Sequence, residues 1–254
     1  MSNVKAAYKA LTAEQQAIVE GHQVVGQHSP DEWLALLGPV AGFDRLVEAV
    51  RKGGDGGFWA RRYARKRDVP NALRSFVVPL LPILREDHDP EVPLKLRIDL
   101  TGAQQPSKLL RVSDAYKKGA YHKVVDTFYD DPWLKGIAHF ADGADLEFTV
   151  TDHLRASSKT KRSASGRTKL KTKRKKKTEL NVVLTAPARN YALTSASARD
   201  VPKASVKPGE NRTVVKLSGT VEQPNVDAVP VVGMLLELIA GAYERVEPSR
   251  RKKL

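Results

Sequence analysis

The chain has 254 residues, 41% of them hydrophobic, and a formal net charge of +14. That length builds one large or two modest domains, and that composition describes a folded chain, not a disordered one. There is no cysteine, which excludes disulfides, thiolate metal sites and a cysteine nucleophile.

The start, MSNVKAAYKALTAEQQAIVEGH, is interrupted by Lys, Glu and Gln and lacks a signal-peptide core. No apolar run reaches the roughly 18 residues of a transmembrane helix. A cytoplasmic protein is expected.

Residues 1–90 read as a helical N-terminal region. In TAEQQAIVEGHQVV, Thr12 and Gln15 have capping-box spacing ahead of Ile18 and Val19. In SPDEWLALLGPVAGFDRLVEAVRKGG, Ser29 is an N-cap and Pro30 a first helical residue. Pro39 should break this segment, leaving a second helix over about 43–52. Glycines at 53–57 make a joint. FWARRYARKR (58–67) continues in helical spacing, and FVVPLLPIL is a buried helix or strand.

Beyond residue 91 the period changes to two. PLKLRIDL puts Leu94, Leu96, Ile98 and Leu100 on one face, a half-buried strand. LEFTVTDHL, TELNVVL and RTVVKLSGTVE repeat the pattern, and 105–140 should hold further short strands. Over 227–246 a stripe of Val232, Leu235, Leu236, Ile239, Ala242 and Tyr243 predicts an amphipathic helix closing on the sheet, with Asp227 as its cap. The expectation is α+β: a helical N-terminal region, then a mainly antiparallel sheet domain over 91–248, and a basic tail at 249–254.

The charge is concentrated. Residues 155–177 carry twelve cations and no carboxylate: Arg155, Lys159, Lys161, Arg162, Arg167, Lys169, Lys171, Lys173, Arg174, Lys175, Lys176 and Lys177. The last five residues add four more, which leaves the rest of the chain slightly acidic. A three-residue hairpin loop at Ala164–Ser165–Gly166 puts Gly166 at the position that wants a left-handed residue. The same loop sets Leu146 against Leu184, Phe148 against Val182 and Val150 against Leu180. A two-residue loop sets Val150 against Asn181.

Carried outward over 152–178, that register pairs Arg155 with Lys175, Ser157 with Lys173, Lys159 with Lys171 and Lys161 with Lys169. The result is a cationic ladder on one face of an arm that reaches on the order of 40 Å. Like charges placed opposite each other destabilise a sheet, so the arm makes sense with a polyanion bound. Replacing residues 156–174 by a short turn should leave the core intact. The plain alternative is a solvated loop.

FWARRYARKR offers a second surface, Arg61, Arg62 and Arg65, with aromatics suited to stacking. The rival reading has Trp59 and Tyr63 packing inward under a solvated arginine face. REDHDPE (85–91) and YDDPW (129–133) read as turns, not metal or paired-carboxylate centres. His22, His28, His88, His122, His139 and His153 lack ligand spacing, and GGDGG lacks the end of a phosphate loop. No catalytic residue, metal ligand or cofactor is expected. The expected function is non-enzymatic binding of nucleic acid, DNA or RNA, through the arm. The alternative is a structural subunit of a larger assembly whose arm contacts an acidic neighbouring protein.

Overall fold

The computed structural model describes residues 3–53, 57–162, 167–194 and 203–249. The N-terminal region starts with α1 (Asn3–Ala10) and α2 (Ala13–Gly21). The Thr12–Gln15 capping box forms in both directions. His22 then turns the chain with a left-handed φ of 55°, and β1 (Gln23–His28) follows. The sequence pattern runs this strand into the preceding helix, because Gly26 and His28 occupy inward positions where apolar residues would mark a strand.

α3 (Pro30–Lys52) starts at a second capping box, Ser29 with Glu32, and continues through Pro39 as one helix. The expected break is absent for a tertiary reason. Proline removes the N–H that would bond the Ala35 carbonyl. Gln15 Nε2 supplies the missing donor, reaching the carbonyls of Ala35 and Leu36 at 3.3 Å each.

α4 (Phe58–Lys66) is followed by a π turn at Leu73–Val77 and by α5 (Val78–Asp87). The wide turn precedes Pro79, and FVVPLLPIL is helical throughout, burying Phe76, Val77, Leu80, Leu81 and Leu84.

The strands are β2 (Leu94–Asp99), β3 (Leu109–Val112), β4 (Tyr116–Lys118), β5 (Tyr121–His139), β6 (Asp145–Arg162), β7 (Thr168–Pro187), β8 (Tyr191–Leu193), β9 (Lys203–Pro208) and β10 (Arg212–Glu222). After them come α6 (Val232–Tyr243) and β11 (Val246–Pro248). The main sheet is antiparallel in the order β1-β2-β5-β6-β7-β10-β9, and β3 and β4 pair with the first half of β5. β8 and β11 pair separately.

Helices cover one face of this sheet. Leu146, Phe148 and Val150 of β6 and Leu180, Val182 and Leu184 of β7 form the buried rows, and each such side chain contributes about 1.5–3 kcal/mol by leaving water. The Phe148 ring lies over Gly136 on β5, where a Cβ would collide with it.

Three further expectations change. The short strands expected over 105–140 include one of 19 residues, β5. YDDPW lies within that strand, not in a turn. Pro132 is tolerated because it sits at a bulge where the extra residue Trp133 interrupts pairing with β6. The closing helix begins at Val232 with Val231 as N-cap, so Asp227 is not its cap. Pro230 holds the residue before it out of helical geometry, and the helix starts after it.

Candidate nucleic-acid interface

β6 and β7 pair from Asp145↔Thr185 out to Arg162↔Thr168 without a slip. Every pair that the sequence register specifies is present, including Lys159↔Lys171 and Lys161↔Lys169. The turn itself, Ala164–Gly166, lies outside the described residues. Alternation then decides the faces. Lys159, Lys161, Lys169, Lys171, Lys173 and Lys175 share the face of Glu147, Thr149 and Asn181, away from the helices. Leu154, Ala156, Arg174 and Lys176 continue the core face.

β10 accompanies β7 only as far as Glu222↔Lys177, so the outer part of β7 is an edge with a neighbouring strand on one side. Lysines along an edge discourage chance pairing with other strands. Two like charges about 5 Å apart in water repel by about 0.8 kcal/mol, so a row of them is costly until an anion enters.

The root of the arm is neutralised internally. Arg155 bonds Asp126 at 2.5 Å, and Asp126 also accepts from Ser157 at 2.5 Å and from Tyr116 at 2.8 Å. The Arg155 guanidinium is the main cause that holds the Asp126 carboxyl down at about 2. His153 lies between Asp130 at 2.7 Å and Glu179 at 3.1 Å. Burial works against its charged form, but the two carboxylates outweigh it and raise its pKa.

Lys177 reaches Glu222 at 3.0 Å, and Lys176 is buried against Asp152 at 2.9 Å. Farther out, Lys159, Lys161, Arg162, Lys169, Lys171 and Lys173 have no carboxylate partner among the described residues. Those six therefore stand apart from the neutralised root of the arm.

The arm is also broader than a hairpin. β5 runs beside β6 to Lys123↔Thr160, and β4 pairs with β5 through a turn at Gly119, whose φ is 54°. This adds exposed Arg111, Lys117, Lys118, His122 and Lys123 to the blade. The segment YKKGAYHK carries the signal: three lysines and a histidine around a turn glycine, in a stretch whose pairing partner is distant in sequence.

On the helical side, Arg61, Arg62 and Arg65 are exposed on α4. Trp59 and Tyr63, expected to act together, separate: Trp59 is exposed, whereas Tyr63 packs against the core. Arg65 lines a cleft of about 780 Å³ together with Leu154, Arg174 and Lys176. Asp99, Asp131 and Asp152 also line it. Lys108 pairs with Asp99 at 3.1 Å and with Asp131 at 2.6 Å. Burial raises the pKa of Asp131 against the pull of Lys108. Asp99 is also disfavoured by burial, but donors from Thr101 and Lys108 bring it down to about 2.

The ladder and α4 thus stand on opposite faces of the sheet, and Arg174 at the β7 edge lies between them. REDHDPE forms the end of α5 and a turn in which Asp89 accepts from the Glu91 N–H at 3.0 Å. The basic tail, Arg250 to Lys253, lies outside the described residues. Among the described residues no helix is long and apolar enough to cross a membrane. No family model, curated protein or solved structure matches the chain.

Proposed function

We propose that this protein binds nucleic acid as a polyanion, in a cytoplasmic setting and without a catalytic step. The outer arm holds the phosphates with little sequence specificity. One observation carries the reading: Lys159 and Lys171, and Lys161 and Lys169, stand directly opposite one another with no carboxylate among the described residues to neutralise them. A polyanion relieves that repulsion and releases its own condensed counterions on binding. Lysine ammonium groups on a regular ribbon read charge and spacing, not base edges.

The test is anisotropy of labelled duplex DNA, single-stranded DNA and structured RNA, with salt raised from about 50 to 300 mM. It includes a variant with Lys159, Lys161, Lys169, Lys171 and Lys173 changed to Glu. Binding that falls steeply with salt and is lost in the variant supports the reading. Equal binding by the variant, or none by the wild type at low salt, overturns it.

The unaccompanied outer edge of β7 favours a second reading, a subunit whose arm receives a strand from an acidic neighbouring protein. An assembly of native size that survives nuclease treatment would select this reading over the first.

A further inference from the structure

α4 has two arcs of opposite character. At about 100° per residue, Ala60, Tyr63, Ala64 and Arg67 fall on one side of the helix. This side packs inward. Ala64 is fully buried, Tyr63 meets Tyr8 edge-on at 6.4 Å between ring centroids, and Arg67 stacks over both rings. The other side carries Phe58, Trp59, Arg61, Arg62, Arg65 and Lys66, every one of them exposed. Phe58 is 71% and Trp59 77% exposed, and their rings meet edge to face at 5.5 Å.

Two large aromatics held in water contribute nothing to the core, and their rings are free to take a contact. Arg62, Arg65 and Lys66 share this arc with no carboxylate on it among the described residues, which favours an anionic partner. A partner with both negative charge and flat apolar faces is a nucleic acid whose bases are not stacked on one another. In a duplex those faces are covered, and only an unpaired strand offers them to a side chain.

We infer that the outer face of α4 is a stacking platform for unpaired nucleotides. Phe58 and Trp59 take base faces, and Arg61, Arg62, Arg65 and Lys66 hold the adjoining phosphates. The inference rests on the polyanion reading and narrows its ligand to nucleic acid with a single-stranded segment. Arg65 and Arg174 line one cleft together with Glu48, Asp68, Asp99, Asp131, Asp152 and Asp227, so the strand held by α4 stays on its outer arc.

Trp59 is also the natural reporter, because Trp33 and Trp133 are 0% and 4% exposed. The intact protein is titrated with an oligothymidylate of about 20 nucleotides, longer than a typical single-strand site, and separately with a duplex of equal length. Tryptophan emission and labelled-oligonucleotide anisotropy are followed together. The expected result is quenching by the single strand and not by the duplex. Phe58→Ala/Trp59→Ala should bind the single strand about tenfold or more weakly and keep its duplex affinity. Trp59→Phe should retain the affinity and lose the quenching. An unchanged unfolding midpoint in both variants shows that the fold is intact.

Single-strand binding with unaltered emission, or undiminished single-strand affinity in the double variant, overturns the platform and leaves the polyanion reading standing. Failure of both nucleic acids to bind at low salt removes the polyanion reading and the platform with it. A blue shift of Trp59 on phosphatidylserine-containing vesicles, without quenching by the oligonucleotide, overturns the platform in favour of a lipid surface.

Discussion

Lys176 and Asp152 form a buried ion pair, 2.9 Å apart, where the arm leaves the body of the sheet. Lys176 also donates to the Ala228 carbonyl at 2.6 Å, and Asp152 accepts from Thr178 at 2.6 Å. By sequence Lys176 is one of a run of five basic residues, 173–177. Its parity turns it towards the helical side, where it ties the loop before α6 to the sheet.

Lys176→Ala would strand the Asp152 carboxylate in that site and should destabilise the protein by about 3–5 kcal/mol. Lys171→Ala, on the solvent face, should change stability by no more than about 0.5 kcal/mol. Urea unfolding of the two variants makes the comparison, and small equal effects would mean that Lys176 is a solvated arm residue.

Five outer lysines, if each neutralises one phosphate of duplex DNA, give a slope of log affinity against log salt of about −4.5. Lys159→Ala/Lys171→Ala should reduce its magnitude by about 2. Arg155→Ala should leave the slope unchanged, because Asp126 already holds that guanidinium. A slope lowered by Arg155→Ala as well would show that the root of the arm also reaches the ligand.

His153 gains its proton more readily in the folded protein because Asp130 and Glu179 bond both ring nitrogens. A raised folded pKa means that its stabilisation is full below the unfolded value of about 6.5 and is lost as pH rises through the folded value. The stability difference between wild type and His153→Asn should therefore be largest in mild acid and shrink towards alkaline pH. Urea midpoints across that range test this, and a difference that grows with pH would contradict it.

Gln15 and Pro39 should be energetically coupled. Gln15→Ala leaves the Ala35 carbonyl without a donor and should cost about 1–3 kcal/mol. Pro39→Ala restores the helix's own N–H, so Gln15→Ala should cost less in that background. Additive losses in a double-mutant cycle would show that the Gln15 bond contributes little.

The short-range features of this fold are legible in the residues. Both capping boxes follow from residues three apart, and the β6–β7 register follows from period-two alternation. What fails is the separability of the arm. Because β5 pairs with β6 as far as Thr160, removing 156–174 would strip a neighbour from β5. A clean trim is limited to residues 161–169.

By itself the sequence determined the α+β order, the pairing of β6 with β7 and the place of the cation run, since each depends on neighbours or on a strict period. Only the tertiary structure decided which cations meet a carboxylate, that α3 continues through Pro39, that β1 joins the sheet, and that Trp59 faces water while Tyr63 does not. These outcomes depend on partners far apart in the chain. Gln15 and Ala35 are 20 residues apart, Lys176 and Asp152 are 24 apart, and Arg155 and Asp126 are 29 apart. No local rule reaches that distance: packing sets which of these groups meet, and burial sets what each meeting is worth.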